Sequence, residues 1–543
     1  MKRSASAAAR PRLEGSRKRR PYLLALVSLL VCLAFYTLAV LRVDFRTTQL
    51  LDLDPTPDAV EYFAGAVSLY QGGSYAIRIG DQDLPPRYPP GYSLAMLPFI
   101  GLLGENAILA PFRVNQLLGL VLIIALFCYF YRSRRPLLAA VAVAILVTLP
   151  GFVLFARSSM SELLGAALIL GAYYCCVRGL RDRNLFFFPV AGFILGTAAL
   201  VRYQLLLFSP LLLSVFFVDG FSKSRRLLTF LLSGLSLTLV VIPMMLYNWV
   251  EFGSPALTGY DFWVPDQAAA GRAFGLRFLA TQLHLLWEEF SLTVSGSRAA
   301  YVFGLGYYYS PAFLLLCGLA VLWSIRTEKH RILLLPAGLF VGGMLFYFWE
   351  DPRLYFAAAI LAVPLIARFV GGVFGGRPTM TCLGGRLALV CLLICALAGF
   401  PSRGGFPYSQ TWALLDMDRL GARSPKYELV RSFRDRFGQA SPLVISSMNP
   451  AYVSSLLGPG SIAVPLDENN EYSLGRRIRY GKQSAMVAIG DAIGEARRVY
   501  YLTLNPSSAE TVSTLLPPPE GFDWEQHPDV AAAGTTYELL PVR

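Results

Sequence analysis

The chain reads as a polytopic α-helical membrane protein with a small α/β domain at its C-terminal end, and three observations predict this. Of its 543 residues, 55% are hydrophobic and only 15% charged, with a mean hydropathy of +0.51, where a soluble domain would carry roughly 25% charged residues. Apolar runs of about 18 or more residues, the length of a bilayer-crossing helix, recur as far as residue 400. From Pro401 onward the pattern changes to short, strand-length apolar runs alternating with helical ones.

Residues 1–20 form a basic tail, rich in Ala, Ser and Arg, and are expected to be disordered and cytoplasmic. The run Pro21–Leu41 follows Arg17-Lys18-Arg19-Arg20 and is longer than a signal-peptide core, so it reads as an uncleaved signal anchor with its N-terminus inside. An outer loop over 43–106 comes next. Within it, Val60, Phe63, Ala64 and Val67 have the spacing of an amphipathic helix over Ala59–Tyr70. The Pro-Pro pairs at 85–86 and 89–90 exclude helix there, and Tyr92–Leu103 is apolar but too short to span. Further spans are expected at 109–131, 136–156, 160–177, 184–200, 204–218, 227–247, 306–324, 332–348, 354–373 and 387–400. With the anchor this makes about eleven, in a membrane domain over 21–400.

Residues 401–543 are expected to form an extracytoplasmic α/β domain. Strands are predicted at 443–446, 461–464 and 498–502, and helices at 450–457, 477–496 and 507–516. Strands alternating with helices suggest parallel pairing. No Gly-rich phosphate fingerprint marks a strand-to-helix turn, so no nucleotide site is read there.

The net charge of +13 does not point to nucleic acid. Its Lys and Arg residues fall in short clusters between spans, at 17–20, 132–135, 178–183, 223–226 and 326–331. Threading the spans from an inside N-terminus places every cluster on the cytoplasmic side, as the positive-inside rule requires. The eight cysteines lie in or beside apolar runs, and the three histidines are scattered, so neither supplies a disulfide framework or a zinc cluster.

The same threading gathers the acids, tyrosines and remaining arginines on the outer side. Asp58 and Tyr62 lie one helical turn apart. A carboxylate at a membrane interface is placed to act as general base, and equally to cap the helix that begins there. Arg87, beside Tyr88 and Pro89-Pro90, suits a phosphate or a lipid headgroup. Glu162 opens a span after Arg157-Ser158-Ser159-Met160-Ser161, where the helix dipole favours an acid. Arg202 has apolar sequence on both sides and needs an anion, for which a lipid phosphate is a natural candidate.

Taken together, these segments resemble the GT-C class of membrane glycosyltransferases, specifically those using polyprenyl-phosphate sugars: the aminoarabinose transferase of lipid A and the protein O-mannosyltransferases. Pro57-Asp58-x-x-x-Tyr62 resembles the class's first-loop acidic motif, and Arg87-Tyr88-Pro89-Pro90-Gly91-Tyr92 its Pro-Pro segment. Arg157–Glu162 resembles its second outer-loop motif, and Tyr247-Asn248-Trp249-x-x-Phe252-Gly253 the segment after its seventh span. Asp351-Pro352-Arg353-Leu354-Tyr355 resembles the Arg-Tyr motif opening a late span, and Asn449-Pro450 a turn of its outer domain. The resemblance implies an inverting transfer of a monosaccharide from a polyprenyl-phosphate donor to a glycan, lipid or protein acceptor. It implies Asp58 as catalytic base, with Arg202, Arg353, Arg87, Tyr62, Tyr88 and Glu162 binding donor phosphate or substrate. No cofactor follows from it, a divalent metal being left open, with His284 the one outer histidine near the membrane. The localisation it implies is a bacterial inner membrane, with membrane lipids as partners and no nucleic acid. The rival reading is a lipid or solute transporter. Transporters tend to show internal repeats and polar residues at mid-membrane, whereas here the polar residues crowd one face and no repeat is evident.

Overall fold

The computed structural model describes residues 11–41, 57–133, 135–263, 273–291, 308–327, 331–349, 351–375, 386, 389–394, 425–457, 460–466, 482–505, 508–527 and 534–542. It is a bundle of apolar helices carrying a five-stranded sheet near one end. The protein is an integral membrane protein. Among the described residues, five helices are long and apolar enough to cross a bilayer, and a bent pair provides a sixth. Ten of the eleven expected spans fall on described helices, and the last, 387–400, lies largely outside the described residues.

The first helix, α1 (Pro11–Tyr36), begins ten residues before the anchor run. The expectation of disorder over 1–20 is therefore corrected for 11–20, where Arg, Lys, Leu and Glu favour helix. Helix α2 (Pro57–Tyr70) falls on the expected helical segment, but the amphipathic expectation is corrected. Residues 58–66 are buried on every side, Asp58 and Glu61 included, because the helix is packed inside the protein rather than lying on an interface. A hairpin, β1 (Ile77–Ile79) with β2 (Gln82–Leu84), follows it. Helices α3 (Gly91–Leu103) and α4 (Ala110–Arg132) lead into α5 (Pro136–Thr148) and α6 (Pro150–Arg157). The last two are bent by 65°. Pro150 explains the break, since it pushes Leu149 into extended geometry (ψ 117°) and offers no N–H to the ladder.

Helices α7 (Glu162–Asp182) and α8 (Phe187–Val201) pack side by side, with α9 (Lys223–Phe252) beyond them. Between α8 and α9 the chain winds Tyr203–Phe217 as a 3₁₀-helix of 15 residues. As an α-helix this run would reach only about 22 Å. At a rise of about 2.0 Å per residue it reaches roughly 30 Å, the thickness of the hydrocarbon layer. After the short α10 (Gly259–Trp263) come α11 (Leu279–Ser291), α12 (Pro311–Thr327), α13 (Leu335–Met344) and α14 (Phe356–Gly375). The span containing α14 is 61% buried, against 22% for that of α9, which sets α14 at the centre of the bundle and α9 at its rim.

The C-terminal sheet has the order β4-β3-β5-β7-β6. Strand β3 (Leu443–Ser446) pairs in parallel with β4 (Ile462–Pro465) and β5 (Val499–Thr503), as the alternating pattern predicts. Two strands were not anticipated, β6 (Phe522–His527) and β7 (Thr535–Pro541), and both join antiparallel. The exposed face of β6 breaks the apolar run that flags a buried strand. Helix α15 (Pro425–Phe437) is a further element beyond the sequence-based expectation. Helix α16 (Pro450–Leu457), capped by Asn449 through its side-chain oxygen, packs on α2 and β1. The backbone N–H of Gly80 donates to the carbonyl of Ala463 at 2.9 Å, tying the hairpin to the sheet edge. One face of the sheet thus continues the core of the bundle, while the other is covered by α17 (Lys482–Gly494) and α18 (Ala509–Leu515).

Candidate active site

Helix α2 begins with Pro57, so Asp58 sits inside its first turn rather than at the cap. Its carboxylate, only 4% exposed, turns inward. Tyr88 donates its hydroxyl to Asp58 Oδ1 at 2.6 Å, and Arg353 Nη2 donates to Oδ2 at 3.0 Å. Burial alone would raise the Asp58 carboxyl. The Arg353 charge, the Tyr88 hydroxyl, and the charges of Arg202 and Arg87 outweigh it and hold the carboxyl below the ordinary aspartate range. Burial and then the Asp58 charge push the Tyr88 phenol well up, so Tyr88 is the donor in this bond.

Arg353 stands in a single 3₁₀ turn, Pro352–Tyr355, opened by Asp351, whose side chain accepts from the Arg353 backbone N–H. Arg353 Nε lies 2.9 Å from Asp351 Oδ2 and 3.6 Å from Glu162 Oε1. Glu162, the first residue of α7, forms a close ion pair with Arg202, which ends α8 in extended geometry. Ser161 bridges the two halves. Its hydroxyl shares a hydrogen bond of 3.0 Å with Tyr62 and accepts from Arg202 at 3.5 Å. Asp58, Glu162, Asp351, Arg202 and Arg353 thus form one buried network of three acids and two arginines at one end of the bundle.

Backbone proximity sets this geometry. A Cβ on Gly91 would come within 2.6 Å of the Leu200 carbonyl, so only glycine lets the Pro89-Pro90 turn rest against the end of α8 beside Arg202. Likewise a Cβ on Gly259 would lie 2.5 Å from the Cα of Arg87, and this close approach brings Tyr260 edge-on to Tyr88 at 5.4 Å. Tyr62 packs between Tyr88 and Tyr92 at 5.0 and 5.1 Å.

Of the residues singled out in the sequence, Asp58, Tyr62, Tyr88, Glu162, Arg202 and Arg353 come together. Arg87 takes a different place. Its backbone N–H and Nε donate to Glu61 at 2.9 and 2.5 Å, so its charge is committed to that buried acid. Sequence reasoning missed the roles of Ser161, Asp351, Tyr260 and Asn115. Asn115 is buried inside α4, and its amide donates to the carbonyls of Ser158 and Met160, both at 2.7 Å. A side-chain amide within an apolar span was the available signal. Asp52 and Asp54 lie outside the described residues.

The network is tightly closed. The cavity bordered by Glu162, Arg202, Arg353, Leu205 and Phe340 measures about 10 Å³, room for about one water. Among the described residues, no three His, Cys, Asp or Glu side chains converge on a metal-sized site. The acids present are interleaved with two guanidinium groups, a donor set that does not fit a divalent cation. His284 stands apart, largely exposed and 3.6 Å from Glu288.

A closed bundle of this kind, with a sheet docked at the charged end, is the fold of the GT-C membrane glycosyltransferases. In sequence, residues 88–247 match the family described as dolichyl-phosphate-mannose-protein mannosyltransferase, which spans Tyr88, Glu162 and Arg202. In structure, the chain is similar to ArnT from Cupriavidus metallidurans, solved bound to undecaprenyl phosphate. That likeness has a TM-score of 0.57 at 13% identity and covers 94% of this chain and 97% of that one. It is also similar to the oligosaccharyltransferase AglB from Archaeoglobus fulgidus, solved with an inhibitory peptide and a dolichol-phosphate, at a TM-score of 0.52 and 12% identity, over 89% and 70% of the two chains. No curated protein is similar enough in sequence to count as a relative.

Proposed function

We propose that the protein is an inverting glycosyltransferase that moves a monosaccharide from a polyprenyl-phosphate lipid to an acceptor on the outer side of the membrane. The observation that carries this reading is the buried Asp58–Arg353 pair with Arg202 and Glu162 behind it, at one end of a bundle with the GT-C fold. The match over 88–247 to a family described as using dolichyl-phosphate mannose supports the donor class. The lipid carriers held by the ArnT and AglB structures support it further.

In this account the two arginines trade partners. The donor enters where α7, the 203–217 helix and α14 border the small cavity, and these elements separate to admit it. Its phosphate takes the guanidinium groups of Arg353 and Arg202 from Asp58 and Glu162, which frees the Asp58 carboxylate. Tyr88 keeps that carboxylate oriented. Asp58 accepts the proton of the acceptor hydroxyl or amine as its heteroatom attacks the anomeric carbon from the face opposite the phosphate. The carbon–oxygen bond to phosphate breaks, and its electron pair stays on the lipid phosphate. Stabilising that leaving charge contributes about 3 kcal/mol for each well-placed donor.

Residues 401–543 serve as an extracytoplasmic domain, with α16 buttressing the helix that bears Asp58. The N-terminus lies inside, and the membrane is the inner membrane of a bacterium. The test is to delete the gene and profile cell-envelope glycans by mass spectrometry. Loss of one defined sugar is expected. Unchanged glycans with an altered lipid or solute distribution would overturn the reading in favour of transport.

A further inference from the structure

Two roomy cavities lie at the end of the bundle opposite Asp58. One of about 610 Å³ is lined by Tyr129, Ser133, Arg135, Tyr173, Arg181 and Arg368, among others. A second, about 570 Å³, runs along α4 and α7 over Val121, Leu122, Ala125, Leu126, Ala167 and Leu170. The two share Tyr129, Ser133, Tyr173, Val177 and Arg181 as a common wall. Neither lining contains an acid, in contrast to the cluster around Asp58. Asp182, at the end of α7, pairs with Arg178 at 2.8 Å and Arg181 at 2.9 Å, and the described lining of the two cavities still carries an excess of arginine.

We propose that this pair of cavities is a binding site for an anionic phospholipid of the leaflet opposite Asp58. Its position follows from helix geometry. Glu162 opens α7 and Arg181 stands at its far end, so at 1.5 Å per residue the two polar centres lie roughly 28 Å apart along one helix, close to the thickness of the hydrocarbon layer. The arginine-lined cavity sits at headgroup depth. Arg368 is held in place there by a close hydrogen bond to the Tyr129 hydroxyl, its guanidinium 5.7 Å from the ring centre. Guanidinium groups bind phosphate through charge-assisted hydrogen bonds. A volume of 610 Å³ greatly exceeds a bare phosphate, so the cavity suits a substituted headgroup. The adjoining groove, bordered by the exposed side chain of Val121, provides the apolar path for an acyl chain. A lipid seated here ties together the ends of α4, α7 and α14, and the site requires only that the chain span a membrane.

The test is native mass spectrometry of the full-length protein in detergent, titrated separately with phosphatidylglycerol, phosphatidylcholine and undecaprenyl phosphate. Phosphatidylglycerol is expected to be retained preferentially. The double substitution Arg135→Gln/Arg181→Gln is expected to weaken its retention about tenfold, the effect of losing one or two charge-assisted hydrogen bonds. Arg225→Gln, exposed and outside both linings, is expected to leave retention unchanged. Ala125→Trp, which fills the groove from an exposed position, is expected to give the same loss and keeps the test open should the double variant not fold. Equal retention of phosphatidylcholine would overturn the site, as would a loss in Arg225→Gln matching that in the double variant. Preferential retention of undecaprenyl phosphate would overturn the assignment to bulk phospholipid.

Discussion

Arginines stand at both ends of α7 and along α14, yet the two ends handle them in opposite ways. Near Asp58, Arg202 and Arg353 are buried against Glu162, Asp351 and Asp58, and the space between them is about one water in size. At the other end, Arg135, Arg181 and Arg368 border a cavity of 610 Å³ with no acid in its lining. Charges that must exchange partners during a reaction are best stored with partners, since an uncompensated buried charge is expensive. Charges at the headgroup level depend less on buried acids, because water and lipid compensate them; the acid beside Arg181, Asp182, is itself partly exposed. A purely topological role, as in the positive-inside rule, accounts for the second group but not the first.

The sharpest way to break this comparison is to remove one charge from each end. Arg353→Gln leaves Asp58 and Asp351 buried without their cation and is expected to cost about 3–5 kcal/mol of stability. Its effect on transfer is expected to be a loss of about 10²–10³-fold. Arg135→Gln is exposed and is expected to shift stability by no more than about 0.5 kcal/mol in lipid-free detergent. Unfolding midpoints and transfer rates measured on both variants decide the matter, and equal stability losses at the two ends would remove the distinction.

Within the Asp58 end, Tyr88→Phe deletes the 2.6 Å bond while keeping the ring that packs on Tyr62 and Tyr260. A hydrogen bond to a charged group is worth about 1.5–3 kcal/mol, so transfer is expected to fall about tenfold or more. An unchanged rate would show that Tyr88 does not orient the carboxylate.

A smaller effect concerns Glu289 on α11. Its Oε2 accepts from the backbone N–H of Tyr308 and Tyr309 at 2.9 and 3.1 Å, yet burial pushes its carboxyl up to about 8. A carboxyl raised in the folded state binds more protons folded than unfolded between its ordinary value of about 4.3 and that raised value. Its share of stability therefore falls as pH rises through that window, and Glu289→Gln is expected to flatten the decline. Thermal unfolding of both proteins at pH 5.5 and 8 measures it, and parallel pH dependence in the two would show that Glu289 does not titrate there. Asp58 has the opposite sign. Its carboxyl is held below the usual range, so its contribution is complete above the unfolded value of about 3.9 and is lost only as pH falls through the lower folded value.

Much of the fold was legible because hydrophobic length and the positions of basic clusters are local signals. Spans such as 109–131 and 354–373 and the parallel strand 443–446 were read almost to the residue. The break at Leu149-Pro150 and the 3₁₀ winding of 203–217 lie below what run length can resolve. The small hairpin 77–84 and the half-exposed β6 lack the continuous apolar run that marks a buried strand. In the site, Asp58, Glu162, Arg202 and Arg353 stood out as charges beside apolar sequence, which is costly unless used. Their pairing was not legible, because Asp58 and Arg353 are 295 positions apart. Nor could the sequence show that Glu61 binds Arg87, since several acids and arginines lie within reach of that loop.

The most direct test of the account is the rate of sugar transfer by Asp58→Asn, measured with purified protein and the donor and acceptor that the glycan profile identifies. Asparagine keeps the shape of the side chain, and its one amide oxygen can still accept from Arg353 with its NH2 turned toward the Tyr88 hydroxyl oxygen, but it cannot take a proton from the acceptor. The account predicts a loss of about 10²–10⁴-fold with donor binding retained. Transfer at an undiminished rate would contradict it.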